Sequence, residues 1–411
     1  MPLLPLLPIP DSLRGREVGT FAHKTVTVRM PGTVQRVLAE NELPPEAVGA
    51  LETLLSELPN GTIRPLRDRS APDVKAWDTY VAPYTGQTWL DVPWFFAETY
   101  FFRRILEATG YFEAGPGRGA DPFAYQKRTA LEVSREDIRS LVHRLRKGLI
   151  PGVWDPDMFQ HLLHADLWGN QADLNLWPAD EEGRPRHSGS DVEREHLLAD
   201  DTTQLLTYLS GLAERGIRVD MIVDNAGLEF VCDLALVDYL LTSQKASVVN
   251  LHLKMHPTFV SDATPENVWQ TLAFLQADAD SDVQAFGARL RGHIEGNKLR
   301  LHADPYWTSP LSGWEMPDTL RQELSGADLL VSKGDANYRR LLGDRHWPFT
   351  TPFTDIVSYV PAPIVALRTL KSEVAAGIDA DRLDTLDQRD PDWLVNGKCG
   401  VIQFCDPGAT R

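Results

Sequence analysis

Four short polar stretches follow apolar runs in this chain, and together they could hold a divalent cation and a phosphoryl group. The first is Asp224-Asn225-Ala226-Gly227, directly after Val219–Val223. A carboxylate and a carboxamide side by side offer the hard oxygen donors that Mg²⁺ or Mn²⁺ takes. The second, His256-Pro257-Thr258-Phe259-Val260-Ser261-Asp262, adds another carboxylate. The resulting cage of Asp224, Asn225 and Asp262 is incomplete, leaving room for waters or substrate oxygens. The third is Ser332-Lys333-Gly334-Asp335-Ala336-Asn337. Its glycine lets backbone N–H groups approach an anion ahead of the next helix's positive end. The fourth, Arg368-Thr369-Leu370-Lys371, joins Lys333 in supplying cations suited to a phosphoryl group.

These stretches matter only if the fold brings them together. Val219–Val223 is almost wholly apolar, the pattern of a strand buried on both faces. From Leu228 the period becomes helical, with Leu228, Val231, Leu234, Ala235, Asp238 and Leu241 three and four apart. The alternation continues through strand Ser247–Leu253, helices from Pro265 to Glu295, and strand Lys298–Ala303. After a short helix near Asp318–Leu324 come strand Asp328–Val331, helix Ala336–Leu342, strand Ile364–Leu367 and a last strand Gly400–Phe404. Such alternation predicts an α/β fold with a largely parallel sheet covered on both faces. In that sheet all four polar stretches fall at the carboxyl edge, where they can converge on one crevice.

Residues 1–150 read instead as a helical N-terminal domain, with 151–411 as the α/β domain. Thr33–Glu57 is helical apart from a break at Leu43-Pro44-Pro45. Trp94–Thr109 is apolar on most sides, with Glu98, Arg103 and Arg104 as polar exceptions; the arginines either reach an anionic ligand or pair with nearby carboxylates. Ser134, followed by Asp137, is expected to cap a helix running to Lys147. Asp157–Leu167 reads as a short helix ending in Leu167-Trp168-Gly169-Asn170. A polar loop follows over 180–200, then a helix from about Val192 to Arg215.

Composition narrows the function classes. With 411 residues, 43% hydrophobic and 24% charged, the chain is an ordinary globular protein with a large core. A formal charge of -17 argues against a nucleic-acid backbone as partner, yet allows small phosphorylated substrates, because a cation can reverse the local field. Cys232, Cys399 and Cys405 make neither a disulfide framework nor a zinc-finger spacing. The proline-broken opening MPLLPLLPIPDSLRG does not read as a signal peptide, and no run is long enough to span a membrane. A cytosolic enzyme is expected.

Every stretch also has a purely structural reading. Asp224 or Asn225 could cap the helix that follows, and Asp262 could belong to the helix start at Thr264-Pro265-Glu266. Ser332-Lys333-Gly334 could be only a strand-to-helix turn, and Arg368 and Lys371 surface charges. His256 and His302 stand alone and read as core or surface residues. The joint occurrence at strand ends favours a site.

Further short motifs extend beyond these four. Ala97-Glu98-Thr99-Tyr100 with Arg103-Arg104, Leu167-Trp168-Gly169-Asn170 with Asp173-Leu174, and Asp224-Asn225-Ala226-Gly227 with Glu229 occur in order. Phe259-Val260-Ser261-Asp262, Lys333-Gly334-Asp335-Ala336-Asn337-Tyr338-Arg339 and Arg368-Thr369-Leu370-Lys371 follow. Together they resemble the damage-control phosphatase family with the domain of unknown function 89, in its acidic residue methyltransferase-like subfamily, of which Arg-Thr-x-Lys is typical. The resemblance implies a helical N-terminal part on an α/β/α core. It implies a metal-dependent phosphatase of small phosphometabolites such as fructose 1-phosphate or fructose 6-phosphate, using Mn²⁺, Co²⁺, Ni²⁺ or Mg²⁺. It further implies metal ligands at Asp224, Asn225 and Asp262, with substrate held by Gly334, Asp335, Ala336, Asn337, Tyr338 and Lys371; Lys333, Arg368, Asn170 and Glu98 complete the candidate substrate-binding set. Gln171-Ala172 and Asn175 depart from the pattern, which affects the finer substrate contacts.

The subfamily's name also records a proposed S-adenosylmethionine-dependent methylation of protein carboxylates. That chemistry wants a glycine-rich turn after the first strand, whereas this turn has one glycine and a carboxylate. A haloacid-dehalogenase-type phosphatase would need a second Asp at 226, which is Ala. A non-catalytic sugar-phosphate binder would keep the basic residues but need no metal cage.

Overall fold

The computed structural model describes residues 3–169, 196–212 and 216–408. Seven strands form one sheet: β1 (Leu197–Asp200), β2 (Ile217–Ile222), β3 (Ala246–His252), β4 (Leu299–His302), β5 (Leu329–Lys333), β6 (Ile364–Thr369) and β7 (Gly400–Cys405). Their order is β1-β7-β6-β5-β2-β3-β4. Strands β6, β5, β2, β3 and β4 run parallel to one another. β7 is antiparallel to β6, and β1 pairs parallel with β7. The fold is α/β with a mostly parallel sheet, as the alternation predicts.

Apolar strand sequences give this sheet two covered faces. Every residue of β5 and of β6 is buried, the condition for a parallel strand under helices on both sides. Val219, Met221 and Val223 face one core, shared with helices Arg135–Gly148, Pro156–Trp168, Leu228–Thr242 and Ser281–Glu295. Ile222, Leu330 and Ala366 face the other, shared with helices Gly334–Leu341 and Phe353–Val357. The alternation of Met221 and Ile222 between these cores is the strand pleat. Helix Leu228–Thr242 is buried from Leu228 through Leu241, which is why its sequence is apolar all round.

A third core lies under the N-terminal helices, built on helix Trp94–Ala108 with Val34, Leu51, Trp77, Trp89 and Phe123. Phe259 and Val260, from the loop after β3, pack against it.

Two local expectations are corrected. Where the sequence suggests one helix from about Val192 to Arg215, Leu197–Asp200 is a strand and the helix is Thr202–Gly211. Pairing with β7 and burial of Leu197 and Leu198 override helix propensity there. Ser134 precedes helix Arg135–Gly148 but makes no side-chain cap bond. Its φ of -90 and ψ of 10 differ from the extended backbone a capping serine needs. Asn170 and the Gln171–Leu174 motif lie outside the described residues. Among the described residues, no helix is long and apolar enough to cross a membrane.

The topology places the crevice. From β2 the chain steps outward to β3 and β4, then returns to β5 on the other flank of β2 and steps outward to β6. Strand order therefore reverses between β2 and β5, the point where open α/β sheets bind ligands.

Candidate active site at the β2–β5 switch point

The loop after β3 folds back along the loop after β2. Ala263 donates its N–H to the Asp224 carbonyl at 2.8 Å, and Ala226 donates to the Ser261 carbonyl at 2.7 Å. Asn225 and Asp262 form an isolated antiparallel bridge between them. The Asn225 Nδ2 group donates to Asp224 Oδ2 at 2.8 Å and to Glu229 Oε2 at 2.9 Å, while its Oδ1 accepts from the Ser261 hydroxyl. The structure thus brings Asp224, Asn225 and Asp262 together.

None of the three serves as a helix cap. Helix Leu228–Thr242 has Gly227, at φ 91, as its N-cap. Helix Pro265–Gln276 is capped by Thr264, in a reciprocal box with Asn267.

Two oxygens are left over. Asp224 Oδ1 and Asp262 Oδ2 are buried with no hydrogen-bond partner, although the Lys254 ammonium stands 3.3 Å from Asp262 Oδ2. Burial, then Asp262 and Glu229, push the Asp224 carboxyl well above its ordinary range. Burial raises Asp262 to about 6 against the pull of Lys254. Unmatched buried carboxylate oxygens are costly. Hard carboxylate and carboxamide oxygens on two adjoining loops are the donors a divalent cation takes, so the donor chemistry fits such an ion. The crevice is tight on its other side: Gly334 has φ +78, and a Cβ on it would stand 1.8 Å from Asp224 Oδ2.

Asn337 ties the two sides together. Its Nδ2 donates to the carbonyls of Val223 at 3.1 Å and Lys333 at 2.9 Å, and its Oδ1 accepts from Lys254 at 3.0 Å. Ala336 is half-buried on the first turn of the same helix. Lys371 is also half-buried, and its charge lowers the Asp224 carboxyl. Its ammonium has no hydrogen bond or ion pair among the described residues, so it is available to an anion.

The remaining candidates are committed elsewhere. Lys333 is fully buried, its ammonium 2.7 Å from Asp166 Oδ1 and 3.3 Å from Asp233 Oδ1. Arg368 donates from Nε to Asp335 Oδ1 and from Nη2 to the Ser372 hydroxyl, each at 2.8 Å, and lies over the Tyr338 ring. Burial pushes Asp335 upward, but Arg368 and Arg339 outweigh it and hold the carboxyl below its ordinary value. The Tyr338 hydroxyl donates to Gln403 Oε1 at 2.7 Å. Glu98 accepts from Arg339, which also pairs with Asp344 at 2.8 Å. Arg103 pairs with Asp68 and Asp73, and Arg104 with Glu57 and Glu107, which realises the carboxylate-pairing reading of both. His256 stands 3.7 Å from Asp73, and burial pushes it down to about 4.

Sequence reasoning did not single out Lys254. The signal was present: it is the first residue after the buried run ending at Leu253, at the same edge as Asp224. Glu229 belongs to the matching pieces, yet its hydrogen bond to Asn225 gives it a place beside the carboxylates that no motif reading assigned.

Away from the crevice, His143, Asp280 and Asp282 hold ligand-type atoms within 4.8 Å of one another. His143 is exposed and bonds Asp280 at 2.8 Å, Asp282 pairs with Arg146 at 2.6 Å, and Asp280 caps helix Ser281–Glu295. Helix capping and ion pairing account for this cluster.

Comparison with known protein sequences places the chain in one family. Residues 25–386 match the family described as "Damage-control phosphatase ARMT1-like domain". Relatives include "Damage-control phosphatase ARMT1" of Danio rerio, 32% identical, with 97% of each chain covered. The Rattus norvegicus protein of the same name is 31% identical, covering 97% of this chain and 99% of that one. A solved structure of a DUF89 family protein from Pyrococcus horikoshii aligns with TM-score 0.47 and 15% identity, covering 91% of this chain and 95% of that one.

Proposed function

We propose that this chain, which belongs to the damage-control phosphatase ARMT1-like family and is a phosphatase, hydrolyses phosphate monoesters of small metabolites such as fructose 1-phosphate or fructose 6-phosphate, with a divalent cation held by Asp224, Asn225 and Asp262. The observation that carries this reading is the pair of buried oxygens without a hydrogen bond, Asp224 Oδ1 and Asp262 Oδ2, on two adjoining loops at the switch point. Mn²⁺, Co²⁺, Ni²⁺ or Mg²⁺ bound there supplies Lewis-acid polarisation of the phosphoryl oxygens and activation of water.

The chain's own groups divide the remaining work. Asn225, held by Glu229 and Ser261, keeps the two loops in register. Lys254 neutralises part of the carboxylate charge. The N-terminus of helix Gly334–Leu341 offers backbone N–H groups to the phosphoryl oxygens. Lys371, half-buried beside the crevice, adds a positive charge for the developing phosphoryl transition state. Arg368, through Asp335, positions the Leu370–Val374 loop that carries Lys371. Three free, buried cysteines support a reducing, cytosolic setting.

A methyltransferase reading finds no support at this edge, because the turn after β2 presents a buried carboxylate where a nucleotide-like cofactor needs bare backbone. A purely binding role leaves the buried, unbonded Asp224 Oδ1 without a use.

The test is phosphate release from a set of sugar monophosphates, run with each divalent cation and with chelator. Turnover is expected only with a cation. Undiminished turnover in excess chelator, with metal absent by elemental analysis, overturns the reading.

A further inference from the structure

The loop that delivers Asp262 is bent in a way its sequence resists. Phe259 has φ 47 and Val260 has φ 69, two successive non-glycine residues in left-handed backbone. For a β-branched residue such as Val260 this is a true outlier. The Ser261 N–H donates to the Phe259 carbonyl at 2.9 Å, closing a three-residue turn about Val260, the rare and strained form of that turn. Strain of this kind persists only where surrounding structure over-determines it.

Here the surrounding structure is the N-terminal helical layer. The Phe259 ring lies 6.0 Å from Phe95 and 5.3 Å from Phe102, both on helix Trp94–Ala108. Val260 packs against the same core. On the far side of the turn, Ser261 accepts from the Ala226 N–H and donates its hydroxyl to Asn225, and Asp262 bridges Asn225. The turn therefore joins two anchors: aromatic packing on the helical layer, and the strand-end loop bearing Asp224. A relaxed backbone at Val260 would point Ser261 and Asp262 away from one of them.

We propose that Phe259 and Val260 are positioning residues for the metal site, and that the N-terminal helices set cation affinity by holding this turn. The proposal rests on the reading of Asp224, Asn225 and Asp262 as cation ligands. A residue that orients a ligand in this way is worth roughly ten- to a hundredfold in metal affinity when altered. Linkage makes the effect reciprocal: a cation that favours the bent turn must also favour docking of the helices on it.

The experiment compares Mn²⁺ dissociation constants by calorimetry, and metal-free melting temperatures, for wild type and four variants. Val260→Pro cannot adopt positive φ, so Mn²⁺ affinity should fall at least about tenfold in folded protein. Val260→Asn tolerates the left-handed region and should bind Mn²⁺ within about threefold of wild type. Val260→Gly admits the bent turn but leaves no side chain on the helical layer to hold it, so it keeps the question answerable if the proline variant does not fold; weakened Mn²⁺ binding with a melting temperature near wild type is the expected result. Asp262→Asn is the control for the site itself and should lose most Mn²⁺ affinity. If the glycine and proline variants bind Mn²⁺ as wild type does while Asp262→Asn does not, the positioning role falls and the metal site stands. If wild type and Asp262→Asn bind Mn²⁺ equally or not at all, both fall together.

Discussion

Gly334 and Asp224 occupy nearly the same space: a single methyl group on the glycine would stand 1.8 Å from the carboxylate oxygen Asp224 Oδ2. The end of β5 can therefore close on the end of β2 only with a bare backbone, and the residue also needs its φ of +78.

Gly334→Ala should accordingly remove most phosphatase activity and cost about 1–3 kcal/mol of stability. Phosphate release and urea unfolding on the same preparation check this. Wild-type activity in the alanine variant would mean the crevice opens more freely than its geometry shows.

Asp262→Asn keeps shape and removes one negative charge from a crowded acidic pair. Cation-dependent phosphate release should fall sharply, while the metal-free melting temperature should change little, because relieved repulsion with Asp224 and Glu229 is offset by loss of the Lys254 ion pair. A residue serving only the helix start would leave both measurements unchanged, since Asn caps about as well as Asp.

Lys371 and Lys333 should separate cleanly. Lys371→Ala should raise KM or lower kcat with metal content and stability nearly unchanged. Lys333→Ala leaves Asp166 and Asp233 facing each other without their cation, so it should cost about 3–5 kcal/mol of stability before any kinetic effect is considered. Thermal melts of the two variants, with Michaelis kinetics for the first, distinguish the roles.

Asp220 provides a pH signature of the sheet itself. It is fully buried and held at about 2: burial alone would raise it, but hydrogen bonds from His252, Arg218 and Asn250 outweigh that. A folded-state value below the unfolded one stabilises the protein above the unfolded carboxylate range, and that contribution disappears as pH falls through about 2. It amounts to about 2 kcal/mol at neutral pH. The stability difference between wild type and Asp220→Asn should be largest near neutrality and shrink from about pH 4 downward. A difference independent of pH would show that Asp220 contributes by shape alone.

The sheet was largely legible in the sequence because doubly buried strands leave unbroken apolar runs, and because their polar followers then share an edge. Side-chain direction at that edge was harder to read. Lys333 and Arg368 look equally suited to phosphate in one dimension. Yet Leu329 and Val331 face the core under helix Leu228–Thr242, so the period of two carries Lys333 to Asp233 rather than to the crevice. By the same count Arg368 falls with Ile364 and Ala366 on the opposite face, where it meets Asp335. β1 left no comparable trace. It is four residues long and exists because β7, far downstream, offers it an edge.

The reversal of strand order between β2 and β5 also bears on how the site comes into being. Asp224, Asn225 and Asp262 lie within the first part of the sheet to be synthesised, but Gly334, Asn337 and Lys371 arrive only after β4 has been laid down on the far flank. During synthesis the carboxylates wait, solvated and without their cradle, until β5 inserts beside β2. Contacts of such long sequence separation form slowly. The half of the crevice built by Gly334, Asn337 and Lys371 is thus among the last parts of the molecule to be made, and an incomplete chain carries the acidic half alone.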